Sequence, residues 1–137
     1  MMSIEILSGI TPRLYELVAP LLMSRNVLRQ NNNYPFKTSK HHLWFIAVER
    51  SDVIGFIPVE IKETGVLINN YYVKGENSKT LSFLIHAVLT HFKNTPVIRS
   101  VTHARHKMIF LENHFYVTQE WKLYLKMEYR CHDEKKT

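Results

Sequence analysis

Between Asn70 and Phe92 the chain passes from an apolar strand through a short polar loop straight into an amphipathic helix, and that succession limits the folds open to it. The strand ends in Tyr71, Tyr72 and Val73, and the helix begins near Thr80. Leu81, Leu84, Ile85, Val88 and Phe92 recur with the 3.6-residue period of a helix laid on a sheet. The first turn of such a helix has backbone N–H groups without intrahelical partners, at the positive end of the helix dipole. It therefore attracts anions, phosphate above all. An ordinary strand-to-helix connection has the same form, so the surrounding order of elements must decide.

Before that loop the chain reads as a short strand over Ile4 to Leu7, then Thr11-Pro12, an N-cap followed by proline at the first helical position. Leu14, Leu17, Val18, Leu21 and Leu22 share one face of the helix behind it, and Pro20 kinks or shortens its end. Arg25 to Lys40 is polar and irregular, with a short helix at Asn26 to Gln30. Leu43 to Glu49 is almost continuously apolar, as an interior strand should be. Turns at Arg50-Ser51-Asp52 and Glu63-Thr64-Gly65 separate it from strands at Val53 to Lys62 and Val66 to Val73, an antiparallel meander. Pro58 cannot donate to a ladder and implies an edge, a bulge or a splay.

After the helix come a strand at Val97 to Thr102, a short helix over Ala104 to Asn113, and a last strand in which Trp121, Leu123, Leu125, Met127 and Tyr129 alternate with polar neighbours. The order β–α–loop–β–β–β–α–β–α–β predicts a mixed α+β domain with a mostly antiparallel, twisted sheet of six to seven strands and three to four helices. At 137 residues, 45% of them hydrophobic, residues 1–130 suffice for one domain with its own core, leaving 131–137 as a disordered basic tail. A single Cys131 excludes an internal disulfide framework and fits a reducing, cytoplasmic setting. No apolar run reaches the length of a membrane span, and MMSIEILSG does not read as a signal peptide. The formal charge of +6 suits nucleic acid, anionic cofactors or acidic proteins without choosing among them.

This order of elements resembles the GNAT superfamily of acyl-coenzyme-A-dependent N-acetyltransferases along nearly the whole chain. Leu43 to Ile57 is similar to the family's second and third strands, Tyr71-Tyr72-Val73 to the end of its fourth, and Ala104 to Phe115 to its last helix. The resemblance implies that the fourth and fifth strands part, that the pantetheine arm pairs with strand backbone at Tyr72 and Val73, and that the pyrophosphate rests on Asn77, Ser78, Lys79, Thr80 and Leu81. It implies an acyl-CoA, acetyl-CoA or another, as donor and an amine as acceptor. The chain departs from the family at Glu76, Lys79 and Leu81, where Gln or Arg and two small residues are usual. It departs again at Phe110, which takes the place of a tyrosine that protonates the leaving thiolate.

Three residues stand out as candidates for the chemistry: Asn70 to hold the acceptor or a water, Glu60 as base for the amine, and Tyr124 as acid. Tyr71 and Tyr72 beside the splay are alternatives to Tyr124. Each also has a bland account: a satisfied amide pair for Asn69 and Asn70, a solvated strand end for Glu60 and Glu63. His41-His42 marks a strand entry near the acceptor side. His103, His106 and His114 lack a carboxylate or thiolate at metal-binding spacing, so no metal is expected and they are read as surface or capping residues. Arg25, Arg29, Lys37 and Lys40, interleaved with Tyr34 and Phe36, form a basic and aromatic stretch that also admits nucleic acid as a partner, either modified or simply bound. A third alternative is a cofactor-free interaction module whose cleft is filled by side chains such as Tyr71, Tyr72 and Phe110.

Overall fold

The computed structural model describes residues 2–130; the segment 131–137 set apart above, with Cys131, lies outside them. One sheet runs through the molecule. Its strands are β1 (Met2–Ser8), β2 (His42–Glu49), β3 (Asp52–Lys62), β4 (Gly65–Ile68), β5 (Tyr72–Val73), β6 (Ile98–His103), β7 (Phe115–Glu120) and β8 (Tyr124–Tyr129). Among the described residues four α-helices accompany them: α1 (Pro12–Leu22), α2 (Arg25–Gln30), α3 (Ser78–His91) and α4 (Lys107–Glu112). The strand order is β1-β2-β3-β4-β6-β8-β7, with β5 paired separately to β3. Every pair is antiparallel except β4 with β6.

The near-continuous apolar run of β2 follows from burial on both faces. Trp44 and Ile46 point to a layer formed by Leu14 and Val18 of α1 and Val27 of α2, with Phe56 and Tyr72. Phe45 and Ala47 point the other way, into a larger core with Leu81, Leu84, Ile85 and Val88 of α3 and Phe110 of α4. Gly55 lets β5 and α3 close in, since a Cβ there would lie 2.9 Å from the Tyr72 carbonyl oxygen and 3.2 Å from a Leu84 methyl. No helix among the described residues is long and apolar enough to cross a membrane.

Several boundaries differ from expectation. The strand expected over Val66 to Val73 is two: β4 ends at Ile68, and Asn70, in the left-handed region at φ 59°, turns the chain before β5. Asparagine tolerates that backbone where bulky residues do not. The helix starts at Ser78 rather than near Thr80, because Asn77 caps it. A strand at Phe115–Glu120 was not expected. The last strand begins at Tyr124, so Trp121 and Leu123 lie in an exposed connection instead of alternating into the core. Met108 of α4, although apolar, is 64% exposed.

Candidate functional site: a wedge between parting strands

β4 and β6 run side by side from Val66↔Ile98 to Ile68↔Ser100 and then separate. β5 moves away to pair with β3 at Gly55↔Val73 and Phe56↔Tyr72, while β6 continues to His103, opposite Tyr124 of β8. No ladder joins β5 to β6. Pro58 pairs with Trp44 of β2 but has no partner in β4 or β5, so its missing N–H falls where the ladder is broken anyway. Of the three placements Pro58 allows, the splay is the one observed.

Side chains cross this wedge. Tyr71 is 2% exposed, and its oxygen accepts a hydrogen bond from the His103 backbone N–H at 3.1 Å. The same hydroxyl lies 2.7 Å from Nδ1 of His106, whose Nε2 lies 2.8 Å from a Glu76 carboxylate oxygen. The hydrogen count settles the direction: His106 Nε2–H donates to the carboxylate, leaving Nδ1 to accept the Tyr71 O–H. Burial pushes the His106 pKa down, so a neutral ring is favoured. Burial also pushes the Glu76 carboxyl up, but hydrogen bonds from Arg105 and His106 outweigh it and hold Glu76 below its usual value. Arg105 donates through Nε to Glu76 at 3.1 Å and through Nη2 to the Gln30 carbonyl at 2.8 Å. Gln30 in turn accepts the Val73 N–H on its side-chain oxygen at 3.2 Å.

The Val73 N–H therefore faces the wedge, and the group it holds is an amide carbonyl. A pantetheine amide carbonyl fits the same donor. At the start of α3 the donors are divided. Thr80 N–H goes to the Asn77 side chain at 2.9 Å and Leu81 N–H to the Asn77 carbonyl at 3.1 Å, and both residues are buried. The amides of Ser78 and Lys79 have no partner among the described residues, and both side chains are exposed. A phosphate would thus meet two backbone donors and the Lys79 ammonium. Gly75 at φ 64° and Glu76 at φ 54° form the left-handed turn that carries the chain there. Tyr72 turns to the opposite face of the sheet, its ring against Phe56, leaving only its backbone on the β5 edge.

A second concavity of about 310 Å³ opens beside the strand break, lined by Tyr34, Lys37, His42, Glu60, Asn69 and Asn70 among others. Asn70 and Glu60 thus share one groove. Buried Asn31 ties its wall together, donating to the Asn70 side-chain oxygen at 3.1 Å and to the Tyr34 carbonyl at 3.0 Å. His42 sits opposite Glu60 in the β2–β3 register, and partial burial lowers its pKa. Tyr124 lies to one side. Its oxygen accepts from Asn32 at 2.8 Å, its own proton has no acceptor among the described residues, and its ring packs on His103. Tyr71 is a poor acid by contrast: burial raises its pKa strongly and its proton is held by His106.

Of the histidines expected at the surface or at caps, His114 is exposed, and His103 and His106 stand at the N-cap positions of the 3-10 turn Ala104–His106 and of α4, but neither side chain makes a capping hydrogen bond. Both are buried, at 2% and 4% exposure, and His103 Nδ1 has no partner among the described residues. Burial, followed by the nearby Arg105 and His106, pushes the His103 pKa down to about 4. The basic and aromatic stretch is also divided: Phe36 packs edge-on against Phe56 in the core, whereas Tyr34 stays 54% exposed with the Lys37 ammonium 5.9 Å from its ring centre.

No family model matches the chain, and no curated protein resembles it in sequence. Solved structures do resemble it in fold. Escherichia coli ElaA superposes with a TM-score of 0.74 at 11% identity, over 95% of this chain and 100% of that one. An acyl-CoA N-acyltransferase from Pseudomonas aeruginosa gives the same TM-score, identity and coverage. A GNAT family acetyltransferase from Elizabethkingia anophelis, solved with acetyl-CoA bound, gives 0.64 at 14% identity, over 95% of this chain and 98% of that one. With its parted central strands and a helix starting directly behind them, this chain has the GNAT superfamily fold.

Proposed function

We propose that the protein is an N-acyltransferase that takes an acyl group from an acyl-CoA and passes it to an amine. One observation carries this reading: a backbone N–H at Val73 on the edge of parting strands, held by an amide carbonyl, within a fold shared with acyl-CoA-dependent enzymes. Val73 would hold the pantetheine arm, and the amides of Ser78 and Lys79 with the Lys79 side chain would hold the pyrophosphate. The thioester supplies an activated acyl carbon.

The chain's own residues then position the acceptor and manage protons. The groove beside Asn70 receives the amine, with Asn70 fixed by Asn31. Glu60 or the neutral His42 opposite it takes the proton that the amine loses on forming the amide bond. Tyr124 is the proton source for the departing sulfur. Positioning supplies much of the rate in such a transfer. A basic wall at Lys37 beside an exposed Tyr34 leaves room for a nucleobase amine among the acceptors.

The Tyr71–His106–Glu76 chain across the wedge favours a second reading, a cofactor-free interaction module on the same fold. One experiment separates the two. Melting temperature is measured with acetyl-CoA, desulfo-CoA and ATP, and free thiol is followed with a panel of amines. The acyltransferase reading expects stabilisation by acetyl-CoA and desulfo-CoA beyond that by ATP, with thiol release in the presence of an accepted amine. No response to either coenzyme would leave the interaction module.

A further inference from the structure

The outer part of the closure differs from the inner part. Tyr71 and His106 are buried, whereas the Arg105 and Glu76 side chains are 40% and 44% exposed and Gln30 is half-buried. Exposed polar contacts of this kind contribute little and break readily. They nevertheless join the three segments that border the wedge: the end of α2, the turn after β5 and the turn after β6. Gln30 is the centre of this arrangement, because its side chain takes the Val73 N–H while its backbone carbonyl takes Arg105.

We propose that Gln30, Arg105 and Glu76 form an autoinhibitory clasp, in which the Gln30 side-chain amide stands in for the pantetheine amide at Val73 and must leave before acyl-CoA can enter. This inference rests on the acyl-CoA reading of the wedge. Its consequence is a link between the two substrate sites. Asn31, the next residue, holds Asn70 and the Tyr34 carbonyl, both in the wall of the acceptor groove. An acceptor that draws Asn70 or Tyr34 away from Asn31 loosens the segment that presents Gln30. Binding linkage is reciprocal, so acyl-CoA and acceptor each raise the other's affinity.

The test is calorimetric titration of acetyl-CoA into the full chain, as wild type, Gln30→Ala and the double variant Gln30→Ala/Glu76→Gln, with amide hydrogen exchange at Val73 recorded in each. Removing the competing acceptor is expected to tighten acetyl-CoA binding about three- to tenfold in Gln30→Ala, with faster exchange at Val73 and a retained fold. Binding by wild type with equal or weaker affinity in Gln30→Ala overturns the clasp and leaves the acyltransferase reading standing. No binding by any of the three overturns both.

Discussion

The Tyr71 hydroxyl determines how the wedge is filled. It accepts from the His103 N–H and donates to His106, so Tyr71→Phe strands a buried donor and a buried acceptor at once. Each such group costs about 1–3 kcal/mol, and a loss of about 2 kcal/mol or more is expected in urea unfolding, while the ring keeps its packing on Phe110. His103 makes a separate prediction. Its pKa falls from 6.5 to about 4 on folding, so between these values the unfolded chain binds more protons than the folded one. Stability from this residue is therefore full above pH 6.5 and declines as pH falls towards 4. The limiting slope is about 1.4 kcal/mol per pH unit for one proton. The His106 pKa shifts in the same direction. Urea midpoints at pH 7.5, 5.5 and 4.5 test this, with His103→Asn expected to flatten the decline; an unchanged slope in that variant would remove His103 as its source.

Among the elements, α3 was the most legible, and its packing explains why. Leu81, Leu84, Ile85 and Val88 are all fully buried, so the apolar period in the sequence reports one continuous contact with the sheet. Its start lies two residues before the expected one because Asn77, accepting from the Thr80 N–H, caps the helix ahead of its first buried residue. Asn77→Ala should cost about 1 kcal/mol, and Leu84→Ala about 2–5 kcal/mol, both read as shifts in denaturant midpoint. β7 gave almost no signal. It is an edge strand in which only Phe115 is buried, so no apolar alternation marks it. The exposed Trp121 and Leu123 were misread for the opposite reason: apolar side chains in a turn imitate alternation. Trp121 is partly covered by Lys126, whose ammonium lies 5.7 Å from its ring centre. The contacts that close the wedge leave no local trace at all, since Gln30 meets Val73 across 43 positions and Glu76 meets His106 across 30.

At the scale of the molecule, one sheet separates two cores, and the proposed clasp depends on how firmly the smaller one is held. Trp44 anchors that smaller core, beneath the helices whose end carries Gln30, whereas Trp121 is half-exposed in the β7–β8 hairpin. A Trp121→Phe variant therefore leaves Trp44 as the only tryptophan, and its fluorescence reports on the α1–α2 layer. Far-UV circular dichroism counts the helices of both faces, α3 and α4 on one and α1 and α2 on the other. Because Trp44, Phe45, Ile46 and Ala47 alternate between the two cores along a single strand, neither core can be lost without disturbing β2, the strand they share. The two signals are expected to change at one urea midpoint, as in a two-state domain. Local opening of α2 that exposes Val73 then has to occur within the folded state, on the scale of two hydrogen bonds to Gln30 and one exposed ion pair, Arg105 with Glu76. Should the Trp44 signal move at a lower urea concentration than the dichroism, the α1–α2 layer unfolds independently of the sheet. The wedge would then be uncovered by loss of a whole layer, and Gln30 would not be the residue that controls it.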